Sequence, residues 1–128
     1  MPVAITALYA GLLGLLVVAL GFNVTVHRWI LRVPLGDGGN PLLVRVIRMH
    51  GNTVESVPIA VLLMALYELD GGLRTALHAA GMTLIVGRLL YAGTLWADGG
   101  WNLIRATGVT LTWLTISALA VLNIWQIG

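Results

Sequence analysis

Residues 45–55 read Arg45-Val46-Ile47-Arg48-Met49-His50-Gly51-Asn52-Thr53-Val54-Glu55, and an apolar run, Val57-Pro58-Ile59-Ala60-Val61-Leu62-Leu63-Met64-Ala65-Leu66, follows at once. Two arginines, a histidine, an asparagine and a glutamate therefore stand at the edge of a segment apolar enough for hydrocarbon. Ionisable groups in a membrane span are expensive and face a cavity, a partner or a ligand. Arginine suits bidentate carboxylate or phosphate recognition. At roughly 100° per residue, Arg45, Arg48, Asn52 and Glu55 fall within an arc of about 80°, with His50 opposite. Arg45 alone reads as a snorkelling anchor, and His50 alone as a packing residue. Arg48 with Glu55 reads alone as an internal salt bridge that fixes packing, but the two stand seven residues apart, so a tight pair within one straight helix is not expected. Taken together on one face, the four polar residues read as a binding stripe. Pro58 removes a hydrogen bond to the carbonyl of Val54, beside Glu55.

Arg88 is a second anomaly, set in Ile85-Val86-Gly87-Arg88-Leu89-Leu90-Tyr91. It is expected either to pair with Glu55 across helices, as a buried ion pair, or to complete a cationic pocket, with Tyr91 one turn on. Other chemistries find little support. The histidines at 27, 50 and 78 have no metal-ligand spacing, so no metal is expected. Ser56 and Ser117 lack evident His and Asp partners, and Glu55 has no second carboxylate in its span. Cysteine is absent, so any thiol chemistry must use a thiol brought by a ligand.

These residues must be positioned by membrane helices. Of 128 residues, 59% are hydrophobic and 9% charged, against roughly 25% charged in a soluble domain. A helix crosses the core with about 20 residues. Four spans are expected, at about 3–26, 41–69, 73–96 and 101–127, and the first reads as a retained span rather than a signal peptide. Asp37-Gly38-Gly39, Asp70-Gly71-Gly72 and Asp98-Gly99-Gly100 read as turns between them. Short loops make neighbouring helices antiparallel, which predicts an all-α, single-domain, four-helix up-down-up-down bundle over residues 1–128. The net charge of +2 comes from arginines scattered along the spans, not from a solvated patch, so no nucleic acid partner is expected. The arginine bias places the first and third loops in the cytoplasm and both termini outside. Trp29, Trp96, Trp101 and Trp125 fall near span ends, as belt residues should. Ala79, Thr83 and Gly87, and the pairs Ala7–Gly11 and Ala10–Gly14, form small-residue rows that allow close helix contact.

The pattern Arg45, Arg48, His50, Asn52 and Glu55, followed by Pro58 and by Gly87-Arg88 in the third span, resembles the signature of the MAPEG family, the membrane-associated proteins of eicosanoid and glutathione metabolism. The resemblance covers essentially the whole chain. With the loop Arg32-Val33-Pro34-Leu35-Gly36-Asp37-Gly38-Gly39, it is most similar to the small bacterial inner-membrane branch. It implies a homotrimer that binds glutathione at subunit interfaces toward the cytoplasmic side. It also implies glutathione transferase or peroxidase activity on apolar electrophiles or lipid hydroperoxides, with membrane lipid around the protein. Carried over by position, Arg48, Asn52 and Glu55 would hold the glutathione backbone, with Arg45, His50, Arg88 and Tyr91 at the same site. Arg105, at the start of the fourth span, falls where the family's thiol-activating arginine does; a cation there favours the thiolate, the nucleophilic form. Members with synthase activity carry tyrosines where this chain has Leu95, and its fourth span has none. Two other classes stay open: a non-catalytic membrane subunit whose stripe fixes oligomer register, and a small multidrug transporter, although the first span carries no acid for drug coupling.

Overall fold

The computed structural model describes residues 1–97 and 101–128; the third segment expected to form a turn, Asp98-Gly99-Gly100, lies outside them. Four helices follow in order: α1 (Ala4–Leu31), α2 (Pro41–Leu69), α3 (Arg74–Ala92) and α4 (Leu103–Ile127). All four are long and apolar enough to cross a membrane. α2 and α3 stand at the centre, each touching the other three helices, whereas α1 and α4 do not touch among the described residues.

Local chemistry sets the ends. Asn40 caps α2 by accepting hydrogen bonds from the amides of Leu42 (3.0 Å) and Leu43 (3.1 Å), and Pro41 occupies the first turn, where its missing N–H costs nothing. The two described Asp-Gly-Gly segments are turns, as expected. The Asp37 carboxylate accepts from the amide of Gly39 at 2.8 Å, and Gly38, Gly39 and Gly71 take positive φ angles of 58°, 70° and 80°, a region that favours glycine.

The expected span bounds hold for α2 and shift elsewhere. α1 runs on to Leu31 rather than Val26, because its last polar residues satisfy themselves locally. His27 Nδ1 lies 2.8 Å from the Asn23 carbonyl, and Arg28 donates to the carbonyls of Val33 (3.2 Å) and Gly36 (2.6 Å). α3 stops at Ala92 rather than Trp96, since Thr94 and Leu95 turn back to the carbonyls of Tyr91 and Ala92, both at 3.2 Å. α4 starts at Leu103 rather than Trp101, where Asn102 caps the amide of Arg105 at 3.1 Å.

The densest core holds Ile5, Tyr9 and Leu13 of α1, Ala60, Met64 and Tyr67 of α2, Leu77 and Leu84 of α3, and Leu119 of α4. This is the end at which α1 begins. There Glu68 does what the N-cap Val3 does not: its carboxylate accepts from the amides of Ile5 (2.9 Å) and Thr6 (2.7 Å). Close by, the Tyr9 hydroxyl meets His78 Nδ1 at 2.9 Å. Toward the other end, α3 and α4 cross backbone to backbone. A Cβ added at Gly108 would lie 2.5 Å from the Gly87 carbonyl oxygen, so glycine is required for that approach. Large apolar residues such as Leu15, Phe22, Leu62 and Val121 are exposed on the outer faces, as lipid-facing positions should be.

Candidate functional site

The end opposite the dense core is more open. A cavity of about 450 Å³ lies there, lined by Arg45, Arg48, Val44 and Met49 of α2, Tyr91 of α3 and Arg105 of α4, with Gly39 and Pro41 at its rim. Three guanidinium groups thus converge on one space. Two of them are braced by the turn that follows α3. Arg45 Nε donates to the Leu95 carbonyl at 3.3 Å. Arg105 donates through Nε to Thr94 Oγ1 (3.3 Å) and through Nη2 to the Thr94 carbonyl (3.4 Å). The buried Thr94 hydroxyl in turn donates to the Tyr91 carbonyl at 2.7 Å. A second groove, of about 630 Å³, opens from the same two residues, Tyr91 and Arg105, and continues over Val109, Trp101 and Trp113. A cationic cavity and an apolar groove therefore share one wall.

Arg48 and Glu55 correct the expectation drawn from their spacing. Arg48 Nη1 and Nη2 donate to Glu55 Oε1 and Oε2, each at 3.3 Å. Gly51 is the reason two turns can be bridged. A Cβ there would lie 3.1 Å from Arg48 Nη1 and 3.9 Å from Glu55 Oε1, so the two side chains close over a turn with no side chain of its own. The pair is 54% and 60% exposed although it belongs to a membrane-length helix.

Arg88 also departs from expectation, because it does not pair with Glu55. It is 1% exposed and is held by neutral groups. Its Nη1 donates to Asn52 Oδ1 at 2.6 Å and its Nε to Thr112 Oγ1 at 3.0 Å. Its Nη2 is buried with no hydrogen-bond partner. The Tyr91 ring lies 5.0 Å from the guanidinium carbon, a cation–π distance. A buried charge without a counter-ion is costly, so this one is kept by the groups that surround it.

The structure thus gathers the sequence-predicted residues in two tiers. Arg45, Arg48, Tyr91 and Arg105 line the cavity. Glu55 and Arg88 stand one contact behind it, through Arg48 and Tyr91, and Asn52 stands one contact further, on Arg88. His50 faces the other way and packs on Gly21 of α1, where a Cβ would lie 3.1 Å from its Nε2. Among the described residues no group of His, Asp or Glu side chains could hold a metal ion. Sequence reasoning missed Thr94, Thr112 and the empty turn at Gly51. Of these, only the glycine between Arg48 and Glu55 left a sequence signal.

The MAPEG family profile matches residues 6–125. Inner membrane protein YecN of Escherichia coli strain K12 is 38% identical over 122 residues, which are 94% of this chain and 91% of that protein. YecN of Escherichia coli O6:H1 strain CFT073 matches to the same extent. With four membrane-length helices and the polar stripe of α2 in place, these matches show that the chain belongs to the MAPEG family.

Proposed function

We propose that the protein binds glutathione in the cavity between α2, α3 and α4 and uses its thiol against apolar electrophiles or lipid hydroperoxides, as a transferase or peroxidase. The observation that carries this reading is the shared wall. Three arginines converge on one cavity, and the apolar groove beginning at Tyr91 and Arg105 adjoins it. Glutathione offers two carboxylates to Arg45 and Arg48 and an ammonium to Glu55. Its binding exchanges the internal Arg48–Glu55 pair for two ligand contacts. The groove gives an apolar second substrate a route from the bilayer to the sulfur. Arg105, common to both spaces, is assigned the stabilisation of the thiolate.

The reading includes a homotrimer in a bacterial inner membrane, with the first and third loops and the site toward the cytoplasm. Support for assembly comes from Arg48 and Glu55, which stay more than half exposed in one chain. Charged side chains at membrane depth need a protein or aqueous neighbour, and a second copy supplies one. The internal pairing of Arg48 with Glu55 favours a second reading, in which the stripe only fixes assembly. Ultraviolet absorbance of bound glutathione near neutral pH separates the two. The expected result is a thiolate signal in wild type that is lost in Arg105→Leu. No bound glutathione would leave the assembly reading, and binding without a thiolate or any turnover of electrophiles or hydroperoxides would leave a binding role alone.

A further inference from the structure

Arg88 can only donate hydrogen bonds, and that fixes the direction of everything attached to it. Its Nη1 lies 2.6 Å from Asn52, so the Asn52 carboxamide must present its oxygen to Arg88. The Nδ2 amino group then points away from Arg88, and it has no acceptor among the described residues. On the other side, Thr112 Oγ1 accepts from Arg88 Nε at 3.0 Å and donates its own proton to the Gly108 carbonyl at 3.0 Å. The chain of donors thus runs one way, from Arg88 outward to Asn52 and inward to Thr112. Thr112 is fully buried and lies one turn after Gly108, where α4 meets α3 backbone to backbone.

We infer that Thr112 is a positioning residue: by holding Arg88 Nε it fixes the guanidinium, which turns the Asn52 amide so that its N–H groups are offered to the glutathione carboxylate assigned to Arg48, its neighbour on the same face of α2. This rests on the glutathione reading above and adds to it a residue on α4 that touches no ligand. The geometry explains why a buried arginine without a counter-ion is useful here. A carboxylate in place of Thr112 would neutralise Arg88 and weaken its grip on Asn52. A hydroxyl holds the guanidinium in place and leaves its charge behind the Asn52 amide, where it strengthens that amide as a donor. Without the hydroxyl, Nε joins Nη2 as an unsatisfied buried donor, and the guanidinium swings to find an acceptor. Asn52 is then free to rotate its oxygen toward the ligand, where it repels a carboxylate.

The test uses the full chain in detergent and reads the glutathione dissociation constant by calorimetry, alongside the ligand-free melting temperature. Thr112→Val keeps the shape and removes the acceptor, and Thr112→Ser restores it. The expected result is binding weakened about tenfold, or about 1.4 kcal/mol, in Thr112→Val and restored in Thr112→Ser. In an Asn52→Ala background, Thr112→Val should weaken binding no further. A Thr112→Val protein that melts earlier yet binds as wild type, or that loses affinity equally without Asn52, would overturn the inference while leaving glutathione binding standing. Absence of binding by wild type would overturn both. Should Thr112→Val not fold, the side-chain amide resonance of Asn52 in wild type decides: a shift on saturation with glutathione supports the donor role, and no shift overturns it.

Discussion

Arg48 and Glu55 reach one another because Gly51 leaves the turn between them empty, and their exposure limits what the contact is worth. Exposed ion pairs contribute roughly 0–1 kcal/mol, while glycine inside a helix costs about 1 kcal/mol relative to alanine. Gly51→Ala should therefore leave the melting temperature unchanged or slightly raised, even as it pushes the pair apart. A marked fall in melting temperature would show that the pair holds the fold. Arg88 differs in kind, being buried without a counter-ion. Replacing buried ionic groups by apolar ones of similar volume is often neutral or stabilising. Arg88→Met should accordingly melt within a few degrees of wild type, by light scattering or circular dichroism, yet lose glutathione binding. Unfolding of Arg88→Met would instead assign the residue to packing. The stripe of α2 was legible in the sequence because charged residues in an apolar segment are costly and so stand out. The threonines were not. Thr53, Thr83, Thr107, Thr112 and Thr115 all donate to the carbonyl four residues back, which is the ordinary way a helix hides a hydroxyl. Among the described residues, only Thr112 of these also receives a charged donor, and nothing in its sequence neighbourhood marks it out.

Helix ends were legible where turn chemistry coincides with the loss of apolar residues, as at Pro41 and Asp70-Gly71 around α2. They were misplaced where apolarity runs past the last helical hydrogen bond. Leu95 and Trp96 extend the apolar run, but Gly93 and Thr94 have already turned the backbone. The cap of α1 was invisible because its carboxylate comes from Glu68, 62 residues from the amide of Thr6. A carboxylate on helix N-terminal amides adds hydrogen bonds and a favourable dipole interaction. Glu68→Gln should cost on the order of 1–2 kcal/mol, read as a lower melting temperature without loss of glutathione binding at the far end. Gly108→Ala acts on the other pair of helices. Its Cβ would meet the Gly87 carbonyl oxygen at 2.5 Å, and neither backbone can yield cheaply. The expected loss is about 1–3 kcal/mol, typical of overpacking, together with weakened glutathione binding as α4 carries Thr112 away from Arg88. A variant as stable as wild type would contradict the close crossing.

For the whole molecule, packing is dense where α1 begins and open where the arginines gather. The sequence revealed four spans and the polar face, because hydropathy and period act along one chain. It did not reveal that Arg88 turns to Asn52 and Thr112 rather than Glu55, since that choice depends on where α3 crosses α4. The central claim is that the cavity of Arg45, Arg48 and Arg105 binds glutathione. It is tested most directly by the glutathione-induced shift in melting temperature of the detergent-solubilised protein, in wild type and in Arg48→Ala. A ligand that binds only the folded state stabilises it, and losing one charged contact to that ligand typically costs on the order of 2–5 kcal/mol. A rise in wild type that is abolished in a folded Arg48→Ala protein is the predicted result; an equal rise in both, or none in wild type, would contradict it.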